Sequence, residues 1–301
     1  MRDIRPCKEN ICAVIVTYHP DDGFKERVID ILKQTGQVVV VDNNSSKHET
    51  AYISDLSLSL GFNAIFNSGN LGVAAALNQG VKWAMEKGFS WVLLFDQDTV
   101  VKDYMIDSLG EVYDAYPYKD RIAVIGSNYT DSYTNRQLHK DEMEEGQLWV
   151  EKKTVITSGS LIPVKIFKIV GMFREEFFID HVDDDFCLRA KHKGFKVILA
   201  LKEVMRHSLG ASTMHNLPWR QTGTSNHSPM RRYYMTRNHL ILIKENLFKE
   251  TGWVFDTVYC RIKSLILMGL FEENRPAKLK AVCIGFFHGL FNIDLKKHKD
   301  N

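Results

Sequence analysis

Long apolar runs, paired cysteines and a dominant charge sign are all missing from this chain of 301 residues. No stretch reaches the ~20 consecutive apolar residues that a membrane span requires. The run from Ile11 to Val16 is too short for a secretory signal core, and no small-residue cleavage site follows it. The chain is therefore expected to be neither exported nor integral to a membrane. The cysteines, Cys7, Cys12, Cys187, Cys260 and Cys283, are odd in number and form no C-x-x-C pair. That excludes a disulfide framework or a zinc ribbon and suits reduced thiols in the cytoplasm. A formal net charge of +2 leaves no nucleic-acid footprint. There is no G-x-G-x-x-G, P-loop, G-x-S-x-G elbow or H-E-x-x-H pair, and no internal repeat or low-complexity segment.

What is present is ordinary globular composition, 45% hydrophobic and 25% charged, enough to bury a full core. The first hundred residues alternate short β-rich runs with helical patterns. The runs at 11–18, 37–43, 63–67 and 91–96 are continuously apolar, as strands buried on both faces of a parallel sheet are. Between them, Phe24, Val28, Ile31 and Leu32 recur at helical spacing before Gly36. Leu71, Ala74, Ala75, Asn78, Val81 and Met85 form a second stripe that ends near Gly88. Strand–helix–strand repetition implies right-handed βαβ units and an α/β sheet. Further strands are expected at 122–130 and 195–201, around a polar loop at 131–146. A short helix is expected with Pro163 near its first turn. An acidic helix should stop at Gly194. Beyond about Leu217 the pattern reads as helical with little strand signal.

Two carboxylates, Asp96 and Asp98, close the strand "WVLLFD". Ligands of α/β sheets bind outside the carboxyl ends of strands, and residues i and i+2 of an extended chain share a face. Two anions so close call for a cation or a proton between them; a solvated turn is the plain alternative. An EF-hand loop from Asp96 fails, because Val100 and Val101 stand where Asp or Asn and Gly are needed. Thr17 and Tyr18 end the first strand, and Asp42, Asn43 and Asn44 end the second, where an ordinary Asx turn also accounts for them. Gly69 and Gly72 lead into a helix N-terminus that could accept a phosphate or simply pack closely. Asp180, Asp183, Asp184 and Asp185 cluster beside apolar "FFI", a setting for a general base or a helix N-terminus favoured by its dipole. His207 follows a strand and could join carboxylates around a divalent ion or serve structure alone.

Taken in order, "AVIVTYHP", "VVVVDNNS", "NSGNLGVAAALNQG", "WVLLFDQD", "TSGSLIP", "FFIDHVDDDFCLRAKHKGF" and "RHSLG" resemble family 2 glycosyltransferases of the GT-A fold. The nearest likeness is to bacterial dTDP-rhamnosyltransferases that build O-antigen and other surface polysaccharides. "MRRYYMTRNHLIL" extends the likeness. The resemblance implies a Rossmann-like nucleotide-sugar-binding mixed sheet flanked by helices (1–215) and a helical C-terminal region (216–301). It implies an inverting transfer of L-rhamnose from dTDP-L-rhamnose to a glycan or lipid-linked glycan acceptor, with Mg²⁺ or Mn²⁺ as cofactor. Thr17, Tyr18, Asp42, Asn44, Asn70, Asn78, Asp96 and Gln97 would bind the nucleotide-sugar. Asp96, Asp98 and His207 would hold the metal. Asp183 would be the base, since the family's spacing places an acid two residues on and an arginine six on, here Asp185 and Arg189. Asp184, Asp185 and Arg189 would stand behind it towards the acceptor, with the Asp184 side chain pointing elsewhere. Asn43–Asn44 depart from the second acidic residue common in the family. A UDP-hexose or galactofuranose donor, or a sugar nucleotidyltransferase, is the alternative; the latter lacks its Gly-rich signature loop here.

The apolar segment 281–291 carries Phe286, Phe287, Leu290 and Phe291. With Lys278, Lys280, Lys296, Lys297 and Lys299 around it, it suggests a peripheral contact with an anionic membrane surface from the cytoplasmic side. Packing as a core helix or against a second copy of the chain is the alternative.

Overall fold

The computed structural model describes residues 4–139, 146–208, 213–217 and 220–293. Among them the chain forms two compact units, Met1–Glu175 with Val182–Ser208, and Glu176–His181 with Leu209–Asn301.

The first unit is a mixed sheet flanked by helices. Strands β1 (Ile11–Thr17), β2 (Gln37–Asp42), β3 (Asn63–Phe66) and β4 (Trp91–Asp96) alternate with helices α1 (Phe24–Gln34), α2 (Lys47–Leu60) and α3 (Val73–Glu86). All their mutual pairings are parallel. Every residue of β1 is buried, which explains why its sequence is apolar without alternation. Then follow β5 (Val100–Val101), α4 (Met105–Ala115), β6 (Ile122–Asp131), β7 (Trp149–Lys152), β8 (Ser160–Pro163), α5 (Val164–Val170), α6 (Val182–His192) and β9 (Lys196–His207). The sheet runs β3-β2-β1-β4-β8-β6-β9-β5, with β7 also on β9. Strand β8 enters antiparallel between β4 and β6, so the parallel pattern is interrupted in mid-sheet.

Phe24, Val28 and Ile31 of α1 are buried, as their spacing predicts. Helix α3 differs at its start. It begins only after Gly72, whose φ of 87° suits glycine, so Leu71 lies outside the helix and is exposed. The small residues have a packing reason: Ala74, Ala75, Ala76 and Gly80 are buried, and a Cβ on Gly80 would overlap the Val14 side chain of β1.

Two pairings carry the site. Thr17 stands beside Asp42 and Val16 beside Asp96 in the parallel registers, so the three strands end level and their following loops crowd together. Strand β5, just after Asp98, pairs antiparallel with the end of β9 through Val100 and Arg206. That pairing returns His207 to the end of β4.

The second unit holds α7 (Pro229–Asn246), α8 (Thr251–Phe271) and α9 (Arg275–Phe291). It also holds a hairpin, β10 (Thr213–Leu217) and β11 (Arg220–Thr224), the second strand of which lies where little strand signal is expected. The hairpin's polar residues carry no hydrophobic alternation, and backbone pairing sets its register. Helix α9 lies close on α7 at two glycines: a Cβ on Gly285 or Gly289 would come within 2.5 Å of the Tyr233 carbonyl oxygen or 2.7 Å of that of Arg237. Lys278, expected at a membrane surface, is instead buried against Glu272; its charge is used inside the unit. Lys296, Lys297 and Lys299 lie outside the described residues. No helix among the described residues is long and apolar enough to cross a membrane.

Candidate functional site

The end of β4 is built by hydrogen bonds from three other segments. His207 is 6% exposed. Its Nδ1 lies 3.4 Å from Asp98 Oδ1, its Nε2 3.7 Å from Asp96 Oδ2. Thr99 Oγ1 is 3.1 Å from the same Nδ1, and 2.6 Å from Ser158 Oγ. The Asp96 amide donates to Ser158 Oγ. One oxygen or nitrogen from each of Asp96, Asp98 and His207 fits within 4.8 Å of the others. Burial pushes the His207 imidazole down, but the hydrogen bond with Asp98 and the charges of Asp96, Asp98 and Asp131 outweigh it, and the net shift is upward. Two carboxylates and one imidazole suit a hard to borderline divalent cation such as Mg²⁺ or Mn²⁺. These residues fit the expected metal.

The ends of β1 and β2 are pinned rather than open. Gln97 accepts from Thr17 Oγ1 and the Tyr18 amide, and donates to the Tyr18 and His19 carbonyls. Its amide is therefore engaged by the loop after β1, and Gln97 staples that loop to the end of β4. Tyr18 remains 46% exposed, an open aromatic surface beside the carboxylates. Asp42 is fully buried and accepts from Ser45 N and Oγ. This is the Asx turn, so Asp42 shapes the loop that follows β2. Asn44, exposed, takes the left-handed conformation at φ 73° that asparagine tolerates.

An asparagine lattice that sequence reasoning missed joins the next loops. Asn43 donates to Asn70 Oδ1 and accepts from Asn67 Nδ2 and the Leu71 amide. Asn70 also receives the Gly72 amide. Asn70 is exposed at the head of α3. Asn78 is not: at 2% exposure its amide bonds the Phe173 N–H, the Phe173 carbonyl and Glu175. A helix-interior amide so occupied holds the 173–175 segment against α3.

On α6, Asp183 Oδ2 accepts from the Thr157 amide and Oδ1 from the Asp184 amide. Both Asp183 and Asp184 line a cavity of about 210 Å³ with Tyr129, Lys152 and Thr154. Asp184 therefore shares the cavity rather than pointing away from it, because consecutive residues of a first helical turn diverge by only part of a turn. Asp185 is 1% exposed between Arg189, at 2.7 Å, and Arg174, at 3.3 Å. Arg189 further donates to the Val170 and Met172 carbonyls. This pair ties α6 to the segment after α5, and Asp185 is not among the residues lining the Asp183 cavity.

The turn at 157–159 joins the two halves. Thr157 holds Asp183, Ser158 holds Asp96 and Thr99, and the Gly159 amide donates to the Leu94 carbonyl at 2.7 Å. Gly159 has φ 77°, which explains the glycine between two serines. Tyr129 makes the second link, packing edge-on to His207 at 5.7 Å and lining the Asp183 cavity. Its hydroxyl is pushed up by burial and by Asp131 and Asp183, so it stays protonated. The cysteines are free thiols, and burial drives Cys12 up to about 12, which rules it out as a nucleophile.

Residues 12–177 match the family model described as glycosyl transferase family 2. Over 303 aligned positions the chain is 31% identical to the dTDP-rhamnosyl transferase RfbF of Shigella flexneri, covering 94% of this chain and 96% of that protein. Solved structures share the fold at low identity. S. aureus TarS 1–349 in complex with UDP-GlcNAc superposes with a TM-score of 0.58 at 14% identity, covering 93% of this chain and 81% of that one. The mannosyltransferase PcManGT of Pyrobaculum calidifontis, in complex with GDP-Man and Mn²⁺, gives 0.56 at 12%, covering 94% and 87%.

Proposed function

The chain belongs to glycosyl transferase family 2, and we propose that it moves L-rhamnose from dTDP-L-rhamnose to a hydroxyl of a bacterial surface glycan. The observation that carries the reading is the 157–159 turn, which ties the Asp96–Asp98–His207 group to Asp183 through consecutive residues. The donor sugar rests on the likeness to the dTDP-rhamnosyl transferase.

Asp96, Asp98 and His207 would hold the divalent cation. When bound, it offsets negative charge gathering on the nucleoside diphosphate as that group leaves. Thr99 and Ser158 fix the orientation of His207 and of the Asp96 backbone, so the ligands are set before the donor arrives. Tyr18 and Asn70 offer the exposed surface for the nucleotide, while Gln97, Asp42 and the asparagine lattice hold those loops. Asp183, lining its cavity, takes the proton from the acceptor hydroxyl as that oxygen attacks the anomeric carbon, so configuration inverts in a single displacement. Two backbone amides donate to the Asp183 carboxylate and fix its orientation at the cavity it lines.

The acceptor is a growing lipid-linked glycan of O-antigen type, met at the cytoplasmic face of the membrane. The exposed Phe286, Phe287, Leu290 and Phe291 of α9, with exposed Lys280, support that placement. In this reading the sheet unit performs the transfer and the helical unit meets the acceptor or the membrane. The test of the chemistry is Asp183→Asn, with donor affinity measured beside sugar transfer to a synthetic acceptor. Turnover should fall ~10²–10⁴-fold while dTDP-rhamnose affinity stays unchanged; near-wild-type turnover moves the base elsewhere.

A further inference from the structure

We propose that the C-terminal unit contains a second, metal-independent binding site for a phosphate or diphosphate group. The site is a cavity of about 360 Å³ lined by Thr222, Thr224, Ser225, Arg232, Lys263 and Ser264. It shares no residue with the Asp96–Asp98–His207 group.

The argument begins with charge. Arg232, Glu272 and Lys278 are 1%, 3% and 3% exposed. The Arg232 guanidinium donates to Glu272 Oε1, and Lys278 Nζ donates to Glu272 Oε2 at 2.9 Å. Two cations thus share one carboxylate. Among the described residues Glu272 is the only acidic side chain lining the cavity, and its Oε1 also accepts from the Asn226 amide. Among the described residues that line this cavity, one positive charge is left without a counter-ion, and a buried charge is stable only when paired.

Unused donors point the same way. Arg232 Nη1 donates to Ser264 Oγ at 3.1 Å, but the buried Nε–H has no acceptor among the described residues. Thr222, Ser225 and Ser264, the exposed Lys263, and Thr224, whose hydroxyl meets His215, line the same cavity. A guanidinium, an ammonium and several hydroxyls match an anion with multiple acceptor oxygens, which describes a phosphate better than a chloride or a single carboxylate. With one carboxylate already neutralised twice over, no metal is needed to bring the anion in. Met214 and Leu267 complete the wall, so an apolar group esterified to the phosphate has a surface to lie on.

The ligand chemistry is shared by free phosphate or pyrophosphate and by the head of a polyprenyl diphosphate. The experiment is calorimetry on the full chain in EDTA, using inorganic phosphate, inorganic pyrophosphate and geranyl diphosphate as probes. Asp98→Ala is measured in parallel, so that failure of the donor-site reading is separated from failure of this one. Saturable binding is expected in wild type and Asp98→Ala alike. It should weaken about tenfold in Lys263→Ala, the scale of one lost charge contact, and vanish in Arg232→Met, which leaves Glu272 and Lys278 as a neutral pair. Geranyl diphosphate binding more tightly than pyrophosphate identifies a lipid diphosphate as the source; equal binding identifies the free anion. Should Arg232→Met fail to fold, Lys263→Ala and Ser264→Ala decide, both being changes at partly or fully exposed positions. Absence of saturable binding by all three probes, binding unchanged in these variants, or binding lost in Asp98→Ala overturns the proposal.

Discussion

Replacing Asp185 by Ala separates structure from chemistry within the acidic cluster. The carboxylate is 1% exposed and meets Arg189 at 2.7 Å and Arg174 at 3.3 Å, while the two arginines keep 26% and 24% exposure. Breaking a fully buried pair by removing one partner costs ~3–5 kcal/mol, because the remaining charge is stranded. Here water reaches both arginines, and Arg189 retains its bonds to the Val170 and Met172 carbonyls, so about 2–3 kcal/mol is the reasonable figure once screening is allowed for. At roughly 2–4 °C per kcal/mol for a unit of this size, melting should fall by about 4–12 °C. The assay is thermal unfolding of wild type, Asp185→Ala, Arg189→Met and the double variant in EDTA. The double should lose less than the sum of the singles, since Arg174 is then the one arginine of the pair still stranded. Residual turnover per folded molecule, measured well below melting, should stay within a few-fold of wild type. A variant that melts like wild type but loses turnover would refute the reasoning and move Asp185 into contact with the acceptor.

Asp98→Ala should weaken Mn²⁺-dependent dTDP binding by ~10–100-fold, the cost of losing one metal ligand or its close support; equal affinity in calorimetry with Mn²⁺ sinks the D-x-D assignment. Asn78→Leu keeps the volume but leaves the Phe173 N–H and carbonyl without their buried partner, so it should cost ~2–4 kcal/mol in urea unfolding; an unchanged midpoint refutes the structural role. Acid stability should depend on Glu272. Burial pushes its carboxyl up, but Lys278 and Arg232 bring it below its usual 4.5. A depressed carboxyl stabilises the fold above its unfolded value, and that contribution disappears as pH falls through the folded value. Melting curves between neutral pH and pH ~3 should therefore steepen below ~4.5 in wild type and flatten in Glu272→Gln; parallel curves count against the buried triad.

How far the sequence could be read follows from which physics leaves a pattern in it. Strands buried on both faces must be apolar throughout, so β1, β2 and β4 stood out, and α1 showed its buried stripe as Phe24, Val28 and Ile31. The D-x-D was legible for a related reason: two carboxylates at the end of an apolar strand invite a cation, and the fold brings His207 to them. What stayed hidden depends on contacts between distant positions. Nothing in the spacing of Asn43, Asn67 and Asn70 reveals that they bond one another, nor that Gln97 spans the loop after β1. Ser158 looks like any turn serine until β8, inserted antiparallel beside β4, sets it against the Asp96 amide. Asp42, Asn78 and Lys278 show the converse. Each is polar at a suggestive place, yet each is buried with its bonding capacity spent inside the protein. Exposure separates the two kinds: Tyr18, Asn70, Asp96 and Asp98 keep accessible surface, while the buried polar residues hold the loops that carry them. A polar residue at a strand end therefore announces either a ligand contact or a loop clamp, and only the three-dimensional pairing of its hydrogen bonds distinguishes them.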